Sequence, residues 1–159
     1  MDSNEHLTDE YFMKQALAEA KKAANKDEVP IGAVIVCQGR IIARAHNLTE
    51  TLTDVTAHAE MQAITMAANY LGSKYLSDCT LYVTVEPCPM CAGAIGWAQI
   101  SRVVYGTKDL KRGYNLIAPN ALHPKCTVTD GVMKEECAEI VQNFFQKNFY
   151  IYRNLNVNN

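Results

Sequence analysis

No stretch of this 159-residue chain is apolar for the ~20 residues that a membrane-spanning helix requires. The opening residues, Met1-Asp2-Ser3-Asn4-Glu5-His6, lack the basic and apolar segments of a secretion signal, so a cytoplasmic protein without membrane attachment is expected. An excess of one charge is missing too. Fifteen Lys and Arg stand against 17 Asp and Glu, a net charge of −2, which argues against nonspecific coating of nucleic acid. With 5 Pro and 8 Gly there is too little of either for a collagen-like or low-complexity chain, and 48% hydrophobic content excludes a disordered one. A single domain over 1–159 is expected, with an ordered core of about 8–152. A chain of this size buries roughly two thirds of its unfolded surface and needs no disulfides.

What is present begins with cysteine. Four of the six, Cys37, Cys79, Cys126 and Cys137, lie apart within strand-like or helix-like patterns and read as buried free thiols. Cys88 and Cys91 form a closer pair. Charge is also uneven. Arg102, Lys108, Lys111, Arg112 and Lys125 against Asp109 leave residues 101–126 with a surplus of four positive charges. Such a block is either a solvated loop or a local meeting place for a phosphate backbone.

Residues 8–26 read as an amphipathic helix capped by Thr8, with Met13, Leu17, Ala20 and Ala24 as its apolar stripe. Ile31–Cys37 and Arg40–His46 read as a hairpin around Gln38-Gly39, and 47–56 as a polar loop. A helix is expected from Ala57 to Leu71, burying Met61, Ile64, Ala67, Ala68 and Leu71. A strand follows over Cys79–Val85, then a small-residue helix over Pro89–Ala98 suited to close packing on a sheet, then a strand over Arg102–Tyr105 ending at Gly106. Residues 107–125 read as a long irregular stretch, Thr127–Asp130 as a short strand, and Lys134–Tyr152 as a helix with Ile140, Val141, Phe144, Phe145 and Phe149 on its apolar face. Asn154–Asn159 reads as a disordered tail. A hairpin followed by alternating strands and helices implies an α/β fold, a mixed sheet with helices on both faces.

Two motifs carry chemistry. His58-Ala59-Glu60 and Pro87-Cys88-Pro89-Met90-Cys91 each fall where a helix begins. Cysteines three apart on a first helical turn share a face, and the positive helix end favours the thiolate that binds metal. Pro is tolerated there because its missing N–H would have no partner anyway. His58 supplies a third donor, and three His and Cys ligands suit zinc with one position left to a water. Two thiolates blunt the acidifying effect of zinc, so a carboxylate that takes the water proton becomes useful, and Glu60 is the candidate. Residues two apart on a helix do not share a face, so His58 and Glu60 converge only if His58 sits at the helix start. Two bland readings stand beside this one: a redox pair at Cys88 and Cys91, and a structural zinc site with Cys79 as fourth ligand.

The combined pattern resembles the zinc-dependent nucleobase deaminases. Further segments resemble bacterial TadA-type tRNA adenosine deaminases: Glu28-Val29-Pro30-Ile31-Gly32-Ala33-Val34, Thr56-Ala57-His58-Ala59-Glu60, Thr80-Leu81-Tyr82-Val83-Thr84, Glu86-Pro87-Cys88, Cys91-Ala92-Gly93-Ala94 and Arg102-Val103-Val104-Tyr105-Gly106. The resemblance spans about residues 9–146. It implies a cytidine-deaminase-like three-layer α/β/α fold with a five-stranded mixed sheet. It implies hydrolytic deamination of adenosine to inosine at the wobble position of a tRNA anticodon stem-loop, by a homodimer with one Zn2+ per subunit held by His58, Cys88 and Cys91. Glu60 would be the catalytic proton shuttle, Asn47 and Ala59 would contact the base, and Lys108, Asp109 and Lys111 would lie where the family contacts RNA. The helix from Ala92 to Ala98 and the strand after it would supply a dimer interface.

The chain departs from the family pattern in two places. Gly113-Tyr114-Asn115-Leu116-Ile117 replaces a Gly-Ser-Leu segment, and Phe145-Gln146-Lys147-Asn148-Phe149-Tyr150 replaces an arginine-rich helix end. Pro87-Cys88-Pro89-Met90-Cys91 and Trp97 also resemble guanine deaminases of the same fold, whereas Val29-Pro30-Ile31-Gly32 favours the tRNA branch. The alternative expectation is a deaminase of a free base or nucleoside, guanine foremost, or cytidine.

Overall fold

The computed structural model describes residues 7–157. The start of the chain, where no secretion signal was expected, and the end of the expected polar tail lie outside them. The elements are α1 (Asp9–Ala24), β1 (Gly32–Cys37), β2 (Arg40–His46), α2 (Ala59–Leu71), β3 (Cys79–Val85), α3 (Pro89–Trp97), β4 (Arg102–Thr107), α4 (Tyr114–Ile117), β5 (Thr127–Thr129) and α5 (Lys134–Val157). The strands form one mixed sheet in the order β2-β1-β3-β4-β5. β1 runs antiparallel to β2 and β3, while β3, β4 and β5 are parallel.

Alternation along the strands divides the core into two. Val34 and Val36 of β1, Tyr82 of β3 and Val104 of β4 pack against Phe12, Met13, Ala16 and Leu17 of α1 and Cys137 of α5. Ala33 and Ile35, Leu81 and Val83, Val103 and Tyr105 point the other way, onto Ala59, Ala63 and Ala67 of α2 and Ala92 and Ile95 of α3. The period of two thus builds a three-layer α/β/α sandwich. The hairpin turn is made by Gln38 and Gly39, both at positive φ (52° and 75°), as the tightest hairpin connections require.

Two glycines permit close approach. A Cβ on Gly32 would strike the backbone of Ala16 and Ala20 in α1, and one on Gly106 would strike Cys137 of α5. Gly106 therefore lies inside β4, which runs on to Thr107 instead of stopping at Tyr105.

Other expectations are corrected. α2 starts at Ala59, not Ala57, and buries Ala59, Glu60, Ala63 and Ala67. Leu71 is exposed, because Gly72 in the left-handed conformation already ends the helix beside it. Gly96 of α3 packs on the carbonyl of Ala121 in the long connection, not on the sheet. That connection is not wholly irregular, since it contains α4. α5 continues to Val157, through most of the segment expected as a tail. Cys79 and Cys137 are buried, while Cys37 and Cys126 are partly exposed, and all six thiols are free.

Candidate active site

The site forms where the first turns of α2 and α3 meet, at the carboxyl ends of the parallel strands β3 and β4. Open α/β sheets place their ligands in such crevices. His58 is the N-cap of α2, with φ −68° and ψ 155°, and Cys88 is the N-cap of α3, with φ −71° and ψ 168°. Both backbones are extended, which sets each side chain over the turn that follows. The Gln62 side chain fixes the start of α2 by donating to the carbonyls of His46 (2.8 Å) and Ala57 (3.0 Å). Pro89 occupies the first turn of α3, where no N–H is missed.

The Sγ atoms of Cys88 and Cys91 lie 3.6 and 3.4 Å from His58 Nδ1. Zinc–nitrogen and zinc–sulfur bonds of about 2.0 and 2.3 Å at a tetrahedral angle place N and S about 3.6 Å apart. The donor set is therefore spaced for zinc. Burial and hydrogen bonding prepare it unequally. Hydrogen bonds from Cys91 and then His58 hold the Cys88 thiol down at about 4. The Cys91 thiol is pushed up, first by its bond to Cys88 and then by burial. The bond to Cys88 also raises the His58 imidazole. Ligands bind zinc deprotonated, so metal binding would release protons from this set. Cys79 is at the far end of β3, opposite Cys37 of β1, and takes no part in the cluster. The structural zinc reading thus loses its fourth ligand, and the redox reading leaves His58 unexplained.

Glu60, one residue into α2, is buried at 4% exposure. Burial raises its carboxyl above the usual range, against a smaller opposing effect from its own backbone N–H and from His58. The condition set for convergence holds: with His58 at the N-cap, the donor and the carboxyl both face one cavity of roughly 660 Å3. That size suits a small molecule or a single nucleotide unit.

Asn47, Ala59, Asp109 and Lys111 also line this cavity. The Asn47 side-chain oxygen accepts from Thr49 N–H (3.2 Å), and its amide donates to the Val29 carbonyl (3.4 Å). Lys108 does not line the cavity. It is exposed and pairs with Asp130 at 3.7 Å. The positive block of the sequence is dispersed as well, since Arg102 is tied to Asp9 by two bonds of 2.7 Å at the other end of β4. Arg112 does reach the cavity, as do Val141 and Phe145 of α5. The charge block already contained Arg112. Nothing local in the sequence ties α5 to the site.

Two buried carboxylates frame the cavity. Glu28, fully buried, accepts the backbone N–H groups of Glu50 (2.8 Å) and Thr51 (3.0 Å) and so holds the loop that carries Asn47. Burial raises its carboxyl, but these bonds more than offset it, leaving the group below the usual range. Glu86 accepts from Asp109 (3.4 Å) and Asn115 (3.1 Å) on the other side.

A buried carboxyl beside a His-Cys-Cys donor set at two helix starts defines a zinc-dependent deaminase site. Residues 7–107 match the model of the cytidine and deoxycytidylate deaminase zinc-binding region. The chain is 49% identical over 144 residues to a tRNA-specific adenosine deaminase of Bacillus subtilis, covering 87% of this chain and 89% of that one. A solved structure from a study of A-to-I editing by tRNA:A34 deaminases at the wobble position matches at TM-score 0.77 and 48% identity, over 82% of this chain and 98% of that one. A guanine deaminase structure from Bacillus subtilis matches a smaller part, 62% of this chain and 64% of that one, at 46% identity and TM-score 0.60. The chain belongs to the tRNA-specific adenosine deaminase branch of the zinc-dependent deaminase family.

Proposed function

We propose that this protein converts adenosine to inosine by hydrolysis at the wobble position of a tRNA anticodon stem-loop. The observation that carries the reading is the cluster of His58, Cys88 and Cys91 at a cavity lined by His58, Cys88, Glu60, Asn47, Lys111 and Arg112. A base reaches such a cavity only by leaving its stack. Exposed cations at the mouth suit the phosphates that flank it.

Zinc held by His58, Cys88 and Cys91 would supply a water that is a nucleophile near neutral pH. The residues of the chain supply the rest. Glu60 takes a proton from that water as oxygen bonds to C6, and passes it to the purine ring nitrogen beside C6. Glu60 then takes the second proton from the hydroxyl now on C6 and delivers it to the amino group; the C6–N bond breaks, the C6 carbonyl forms and ammonia leaves. One carboxyl serves as base and then as acid, which suits a group whose affinity for protons is raised by burial. Asn47 and the backbone of Ala59 hold the base edge, and Asp109 and Lys111 act on the RNA side of the mouth. Lys108 contributes at longer range.

The protein acts as one catalytic domain in the cytoplasm. No described helix is long and apolar enough to cross a membrane. It pairs as a homodimer, with one zinc per subunit. Trp97 of α3, 86% exposed, supports the pairing, as do exposed Met66 and Tyr70 of α2. The position of Trp97, outside the cavity lining, also removes it as an argument for a guanine substrate.

The test is a parallel assay of zinc-loaded protein on an anticodon stem-loop with wobble adenosine and on free guanine, adenosine and cytidine. Inosine in the stem-loop alone is the expected result. Turnover of guanine with an inert stem-loop would overturn the reading.

A further inference from the structure

Glu86 is 6% exposed, next in sequence to Pro87 and the zinc-spaced Cys88, and the chemistry above gives it no part. Its contacts all go to one segment. Its backbone N–H donates to the Thr107 carbonyl (2.8 Å). Its two carboxylate oxygens accept from the N–H groups of Asp109 and Asn115. The Pro87 carbonyl beside it accepts from Tyr114 N–H (2.9 Å). Within this clamp the Asp109 side chain folds a turn by accepting from the N–H groups of Lys111 (3.0 Å) and Arg112 (2.9 Å). These two cations line the mouth of the cavity.

Gly113 confirms how tight the clamp is. Its φ of −62° is open to any residue, so the glycine is not there for its backbone. A Cβ at this position would instead collide with the Glu86 carboxylate and the Asp109 carbonyl. The segment 109–115 is thus moulded on a buried carboxylate two residues from a zinc ligand.

We propose that Glu86 is a positioning residue for polynucleotide specificity: it fixes the Lys111–Arg112 turn at a set distance from the metal centre, so that phosphates beside the target nucleotide are held only when its base is seated. This rests on the RNA-deaminase reading. Glu86 also lines the cavity, and the role proposed for it is exerted through the turn.

The experiment compares zinc-loaded wild type, E86Q, G113A, K111Q/R112Q and the combination of E86Q with K111Q/R112Q on the anticodon stem-loop. Zinc content, KM, kcat and the salt dependence of KM are measured. Gln keeps the size of the side chain but turns one acceptor into a donor, so one backbone N–H loses its partner. E86Q is expected to keep one zinc per chain and to raise KM roughly tenfold, with kcat within about twofold. Its salt slope should flatten towards that of K111Q/R112Q. Adding E86Q to K111Q/R112Q should raise KM little further, because both changes remove the same contact. G113A, which pushes on the carboxylate from the other side, should repeat the E86Q pattern.

A purely structural Glu86 would instead lower kcat through a smaller active fraction, with KM and salt slope unmoved. That result, or full additivity with K111Q/R112Q, overturns the proposal while leaving the RNA-deaminase reading intact. A wild type inert on the stem-loop and active on guanine overturns both.

Discussion

At the residue scale, three groups carry separable loads. In the proposed mechanism Glu60 moves protons and holds no metal, so Glu60→Gln should retain one zinc per chain and lose turnover by at least about a hundredfold. Metal analysis beside the assay separates the two effects. Retained turnover would remove the shuttle role. Cys88→Ala breaks a donor set whose three atoms lie within 4.8 Å of one another, so zinc content should collapse together with activity. Glu28 is a different kind of residue. Its carboxylate replaces water for two backbone N–H groups of the Asn47 loop, and Glu28→Ala leaves both without a partner. A loss of about 1–3 kcal/mol in urea unfolding is expected. The donor motifs were legible in the sequence because metal chemistry restricts residue type and spacing. Glu28 and Glu86 were not, because a single acidic residue carries no local mark of burial, and their partners lie more than 20 residues on.

At the scale of elements, the sheet and its helices fix how the two donor motifs approach. α1 is anchored to β4 by Asp9 and Arg102, at 2.7 Å. The Arg102 guanidinium holds the Asp9 carboxyl below the usual carboxylate range, against the opposing effect of burial. A depressed folded value means that the stabilisation is complete above the ordinary carboxylate pKa, about 4, and is lost as pH falls through the lower folded value. Melting temperature measured from pH 5 down to pH 2 should therefore fall more steeply for wild type than for Asp9→Asn. The pair is about one third exposed, so the effect is modest and shrinks with salt. Gly32 bears on the same layer. Gly32→Ala drives a methyl into the backbone of α1, which cannot retreat without leaving the core, and a loss of about 1–3 kcal/mol on unfolding is expected. Strand and helix order was readable from periodicity. The buried face of α2 was misread, because its core positions are Ala and Glu and the larger Met61, Ile64 and Leu71 are partly or wholly exposed.

For the whole molecule, charge and surface decide partners. Lys111 and Arg112 alone of the positive block reach the cavity, so neutralising them should weaken stem-loop deamination and flatten the salt slope, whereas Lys125→Gln should change neither. If the proposed homodimer pairs through α3, Trp97→Asp places a charge at an exposed apolar position and should shift sedimentation from dimer to monomer. The sequence by itself determined the reaction chemistry and the layering. Zinc demands its ligand types at fixed spacing, a helix start demands its capping residues, and a sheet covered on both faces demands apolar residues on both sides of its strands. Only the tertiary structure decided which cations share the site with the metal, that α5 closes one wall of it through Val141 and Phe145, and that two buried carboxylates mould its loops. These depend on contacts between distant segments, and no local pattern of residues encodes which distant segment will arrive.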